Sequence, residues 1–260
     1  MLRVYFMLKS QYLKTAMEYK LNFWMMFVAG IVMRTLMMGV AFVLFQFMPT
    51  IAGFTEGEVY LIMALMFISE GMCNIFFDGI WHLPALVFSG QFDMMLTRPV
   101  SPLYQLLSYE IGLQGVGVLA MGIVSLTLSA RYAGFLNFLN ILLLIGFIIT
   151  GALLRMSTYL VGVCTTAFFS EHGGTQAMAY TMYSIGEYAK YPLIIYPGWM
   201  RGILFSIIPF GFIGYIPVLI LRNQNALLLA VALVCVTAVY LVSARWFFYR
   251  GIRNYESVGM

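Results

Sequence analysis

The chain of 260 residues is 62% hydrophobic and only 9% charged, with a net charge of +4. A water-soluble surface carries ~25–35% charged residues, so a soluble globular enzyme is excluded, and so is a disordered chain. An all-α polytopic membrane protein remains. The 17% aromatic content suits membrane interfaces, and no run of Lys and Arg is dense enough for nucleic acid.

Residues 1–20 lack the apolar core and small-residue cleavage site of a signal peptide. At ~100° per residue, Arg3, Ser10, Gln11, Lys14 and Glu18 share one side. Leu2, Tyr5, Phe6, Tyr12, Leu13, Ala16 and Met17 share the other. This pattern predicts an amphipathic helix lying on membrane lipid, with Lys9 and Lys20 snorkelling to the headgroups.

A spanning helix needs ~20 mostly apolar residues. Residues 21–47 qualify, interrupted by Arg34, and residues 58–80 qualify, interrupted by Glu70, Asn74 and Asp78. Residues 111–130 are apolar and Gly-rich, and 138–168 exceed one span, with Arg155 inside. Residues 174–196 are expected to be the fifth span and 226–248 the sixth. Between them, 197–222 carries Pro197, Pro209 and Pro217, with Gly211 and Gly214. Proline breaks the helical ladder, so a re-entrant element is expected, tolerated at depth only under a cover of protein or water. A rival reading leaves 169–202 in the cytoplasm and makes 203–221 the fifth span. Both readings give six spans.

With the N-terminus inside, Arg3, Lys9, Lys14, Lys20, Arg98, Arg245, Arg250 and Arg253 are cytoplasmic, against external Arg131, Arg201 and Arg222. The eight-to-three bias places both termini in the cytoplasm of a cell-membrane protein. Residues 81–110, WHLPALVFSGQFDMMLTRPVSPLYQLLSYE, form the largest cytoplasmic segment. Pro99 biases Arg98 away from helix, so a short helix is expected to break near Arg98 and restart around Ser101–Pro102.

Sequence motifs point away from catalysis. None of the four lysines follows a glycine, so a P-loop is lacking. His82 and His172 are too few for a histidine-based metal centre. Cys73, Cys164 and Cys235 sit singly in apolar runs, without metal or disulfide spacing.

Charges within spans are the sharper signal, because they are costly at bilayer depth and usually paired. Arg34 and Glu70 fall at matching depth on sequential antiparallel spans, which predicts an ion pair. Glu70, Asn74 and Asp78, spaced four apart, form one polar stripe. Arg155 and Glu187 also fall near mid-depth, which predicts a second pair. These groups either line a substrate path or subunit interface, or simply pair within the bundle.

Phe92-Asp93-Met94-Met95-Leu96-Thr97-Arg98-Pro99-Val100-Ser101-Pro102 resembles a cytoplasmic motif of ABC transporter type-2 permeases, in a branch of six-span proteins of this length. The stretch from Tyr191-Pro192 through Tyr196-Pro197 to Ile207-Ile208-Pro209-Phe210 resembles that branch's segment before its last span. The resemblance covers nearly the whole chain. It implies the permease subunit of an ATP-driven exporter, in which a separate ATPase dimer holds ATP and magnesium. The permease itself would carry no cofactor and would pair with a second permease chain. Asp93, Arg98, Pro99, Ser101 and Pro102 would couple to the ATPase, and Pro197, Pro209 and Pro217 would shape an external re-entrant gate. An ion-driven secondary transporter using Glu70 and Asp78 would usually show paired inverted repeats, which the sequence lacks. A non-transporting scaffold or immunity protein would not need a proline-structured coupling loop.

Overall fold

A computed structural model describes residues 20–133, 137–170, 176–222 and 225–256, together with residues 5, 7, 9–12, 14 and 18. Within the last set the backbone is helical, and the rest of the expected interfacial helix lies outside the described residues. The chain then builds α1 (Lys20–Phe47) and α2 (Glu56–Phe77), with a 3₁₀ turn at Asp78–His82. Three short helices follow: α3 (Leu83–Phe88), α4 (Phe92–Leu96) and α5 (Pro102–Leu107). Next come α6 (Gln114–Ala133), α7 (Phe138–Phe169) and α8 (Ala177–Gly186). Two 3₁₀ turns lead to α9 (Gly198–Ser206), a third leads to α10 (Tyr215–Leu221), and α11 (Ala226–Asn254) closes the fold. No strand occurs among the described residues.

The axis of the bundle is α2, whose residues 59–71 are all buried. Its capping box uses Thr55 and Glu58, with the Thr55 amide donating to the Glu58 carboxylate at 2.8 Å. The closest packing is against α6, where small residues let the backbones approach. A Cβ on Gly71 would lie 2.8 Å from the Leu119 Cβ and 2.9 Å from the Gly115 carbonyl oxygen. The Ser125 hydroxyl donates to the Tyr60 carbonyl at 2.8 Å. Such seams suit lipid, where association rests on close packing and interhelical hydrogen bonds. On its other side α6 meets α1, and a Cβ on Gly30 would lie 2.7 Å from the Gln114 carbonyl oxygen. Gly30, Arg34, Met38 and Ala41 form the one buried stripe of α1, while Trp24, Val28, Val32, Leu36 and Val40 face outward.

Helices long and apolar enough to cross a membrane are α1, α2 with its continuation to Phe88, α6, α7 and α11. The expected fifth span over 174–196 is not one helix. α8 has ten residues, about 15 Å of rise against a hydrocarbon core of ~30 Å. It ends where Glu187 and Lys190 enter and Pro192 follows, so the chain tightens into 3₁₀ turns. α9 and the segment Phe210–Leu221 form a pair bent by 78°. The rival straight span over 203–221 is therefore absent too, broken at Pro209.

Contacts show what this irregular stretch accomplishes. The Gln176 side chain donates to the Trp81 carbonyl at 2.6 Å, just past the C-terminal end of α2. Arg222 pairs with Glu58 and donates to the Gly53 carbonyl at 2.9 Å, at the N-terminal end of α2. Residues 176–222 thus traverse the full length of α2 in pieces. Tyr5 donates to the Phe76 carbonyl and the Ser101 hydroxyl lies 3.0 Å from that of Tyr249. Both terminal segments and residues 78–113 therefore occupy one end of the bundle.

Candidate functional site: a buried charge network beside a polar cavity

Helix α2 places Glu70 at the centre of the bundle, with its side chain 3% exposed. One carboxylate oxygen pairs with the Arg34 guanidinium of α1. The other faces the Lys190 ammonium at 3.4 Å. Lys190 is fully buried and also pairs with Glu187, three residues before it. The Tyr183 hydroxyl joins this network, accepting from Arg34 and donating to Glu70, both at 3.4 Å. Phe67 forms its floor, its ring centroid 5.7 Å from Arg34 and 5.2 Å from Lys190. Buried charges persist only with partners and hydrogen bonds of this kind. Three separate elements, α1, α2 and the turn after α8, therefore meet on one carboxylate.

Arg155 does not pair with Glu187. A continuous helix over 174–196 would have set the two at one depth, but the turn at Gly186 ties Glu187 to Lys190 instead. Arg155, fully buried, donates to the Tyr159 hydroxyl at 2.9 Å and to the Met66 carbonyl at 3.3 Å. Its guanidinium also lies 4.6 Å from the Phe210 ring centroid, a favourable cation–π geometry. Phe210 thereby brings the bend between α9 and α10 to the level of Met66. Pro197 and Pro209 precede α9 and the 3₁₀ turn, and Pro217 sits in the first turn of α10.

Beside the network lies a cavity of about 450 Å³. Glu70, Asn74 and Asp78, the polar stripe, all line it, together with Arg34. Sequence reasoning missed its other walls: Gln114 and Gln176, and the aromatic residues Trp81, Tyr159, Tyr180 and Tyr183. It also missed Lys190 as a partner of Glu70. One signal was available, since Lys190 is the only lysine after residue 20 and lies three residues from a glutamate.

The segment between α2 and α6 is ordered by its own side chains. α4 ends at Leu96 and α5 begins at Pro102. Gln105 bridges the gap, its amide donating to the Met95 and Val100 carbonyls, each at 2.8 Å. Phe92 is fully buried against Phe168 of α7, Phe248 of α11 and Tyr255, with ring centroids at 5.8, 6.4 and 5.5 Å. Arg98 and Pro99 are exposed, Asp93 and Ser101 partly so. Burial, with help from the neighbouring Asp93 carboxylate, pushes the Tyr255 hydroxyl up to about 12. Close by, Lys9 donates to the Glu110 carbonyl, and burial pushes its ammonium down to about 8 against the pull of Asp78 and Glu110. The Glu110 carboxylate is held below the usual range by its bond to His82.

A helical bundle of this length and apolarity, with charges buried at its centre and a polar cavity among its helices, defines a multi-pass membrane protein. A family model described as ABC-2 family transporter protein matches residues 22–259, and the chain belongs to that family. Its role is that of a membrane transport permease, and permeases of this family generally work with an ATPase component. A search of curated proteins and a search of solved structures each found no match.

Proposed function

We propose that this chain is the permease half of an ATP-driven exporter, with ATP and magnesium held by a dimer of separate ATPase subunits. Residues 78–113 and both termini face the cytoplasm, a reading supported by the distribution of Lys and Arg. A second permease chain completes the pathway, and substrate passes by alternating access at the interface of the pair. The observation that carries this reading is the anchoring of α4. Phe92 ties the segment to the ends of α7 and α11, while Asp93, Met94 and Arg98 stay accessible beside it. A push from a docked ATPase on α4 would therefore be delivered to two long helices at once. Pro197, Pro209 and Pro217 shape the external gate, whose inner tip is Phe210.

The test is purification of the tagged chain from its native membrane. An ATPase should co-purify, and Asp93→Asn with Arg98→Gln should abolish permease-dependent stimulation of its ATP hydrolysis while the permease still inserts. Normal stimulation in that double variant would remove this segment as the coupling element. Orientation is tested separately with a cysteine at Ser101, in a variant lacking Cys73, Cys164 and Cys235. Rapid labelling of intact cells by an impermeant reagent would reverse the topology.

A further inference from the structure

We infer that the cavity beside Glu70 takes an amphiphilic organic cation, an inference that rests on the exporter reading and names its substrate class. Arg34 and Lys190 are matched by Glu70 and Glu187. Arg155 does not line the cavity; its guanidinium is held by the Tyr159 hydroxyl, the Met66 carbonyl and the Phe210 ring. Asp78 is different. Lys9 and His82, the two basic groups near it, are directed to Glu110, through its carbonyl and its carboxylate respectively. Among the described residues Asp78 therefore forms no ion pair, although Lys9 attracts it from farther off, and it is the one charged group on the cavity wall without a direct ionic partner.

The neighbouring wall is aromatic. Trp81 lies 5.2 Å from Tyr159 by ring centroids, Tyr159 lies 6.2 Å from Tyr183, and Tyr183 lies 6.0 Å from Tyr180. Four rings thus form a continuous row on the cavity that Asp78 also lines. Aromatic rings attract cations through their quadrupole, most strongly when desolvated. A carboxylate beside such a row selects an ammonium or phosphonium and rejects an anion of the same shape. The apolar body of the ligand would lie on Ala29, Met33 and Val118, which complete the wall. A volume of about 450 Å³ suits a drug-sized molecule.

The test uses two ions that differ mainly in sign, tetraphenylphosphonium and tetraphenylborate. Equilibrium dialysis against the full-length chain in nanodiscs, with empty nanodiscs subtracted, measures binding of each. The chain should retain the phosphonium and not the borate. Asp78→Asn should weaken phosphonium binding about tenfold, a change in binding free energy of ~1.4 kcal/mol, and Asp78→Glu should restore most of it. Tyr180 is largely exposed, so Tyr180→Ala should fold normally and still lose several-fold in affinity. Equal or tighter binding of the borate would overturn the inference. So would unchanged phosphonium binding in both the Asp78→Asn and Tyr180→Ala variants. Co-purification of the ATPase reports on the exporter reading independently, since this assay contains no ATPase.

Discussion

The seam between α2 and α6 and the stretch 176–222 both cross the bundle, by opposite means. The seam uses two uninterrupted helices, drawn together by Gly71, Gly115 and Gly122 and by serine-to-carbonyl hydrogen bonds. The stretch uses three short helices and three 3₁₀ turns, interrupted by charges and prolines. Small residues let the seam helices pack closely, whereas in the broken stretch a bend carries a charge to its partner. Lys190 reaches Glu70 because α8 stops at Gly186. The regular half supplies the frame, and the broken half brings a second basic group to its central carboxylate.

The sharpest way to break this comparison is at Glu70, where the two halves meet. Glu70→Ala strands Arg34 and leaves Lys190 with Glu187 alone, and removing one partner of a buried pair costs ~3–5 kcal/mol in soluble proteins. Loss of most folded protein is expected, read by thermal unfolding of the solubilised chain. Arg34→Ala should cost less, because Lys190 still faces Glu70. Equal losses in the two variants would mean that Lys190 carries none of the balance.

Glycine substitutions separate the two regions directly. Gly71→Val would press into Leu119 and the Gly115 carbonyl, and overpacking of this kind typically costs ~1–3 kcal/mol. Gly202, in α9, has open space around it. Gly202→Ala should be neutral or stabilising by up to ~1 kcal/mol, the helix propensity difference. A stability loss at Gly202 matching that at Gly71 would refute the distinction.

Pro217 sharpens the picture on the broken side. It occupies the first turn of α10, where an N–H would have no intrahelical partner. Pro217→Ala should therefore change stability by less than about 1 kcal/mol, measured by the same unfolding assay. A large loss would show that the bend itself depends on that ring.

A pH-dependent effect is expected at Lys9. Its folded pKa of about 8 lies below its ordinary value of 10.5, so the folded state gives up the proton first. Stability should then rise as pH increases from about 8 to 10.5, the window where the unfolded chain still holds the proton. Lys9→Met should flatten that slope in limited proteolysis of the N-terminal segment across this range. An unaltered slope would assign the effect to another group.

Much of this was legible in the sequence, and the successes and failures have one physical origin. Arg34 and Glu70 sit on consecutive helices joined by a short turn, so counting at 1.5 Å per residue gives their relative depth directly. The same count failed for Arg155 and Glu187, because a 3₁₀ turn rises about 2 Å per residue and redirects its side chains. The break between α4 and α5 was readable from Arg98-Pro99, where local sterics act alone. The anchoring of Phe92 was not, since Phe168, Phe248 and Tyr255 are distant in sequence.

Composition alone determined that the chain is apolar, helical and multi-pass, because 24 charges spread over 260 residues leave no water-soluble surface to build. Local sequence also determined where helices must stop, since prolines and paired charges act on their immediate neighbours. Only the tertiary structure decided which buried charges meet, that Lys190 shares Glu70 with Arg34, and that Asp78 lines one cavity with a row of aromatic rings. Those outcomes depend on bends between short helices, whose directions are set by packing against the whole bundle.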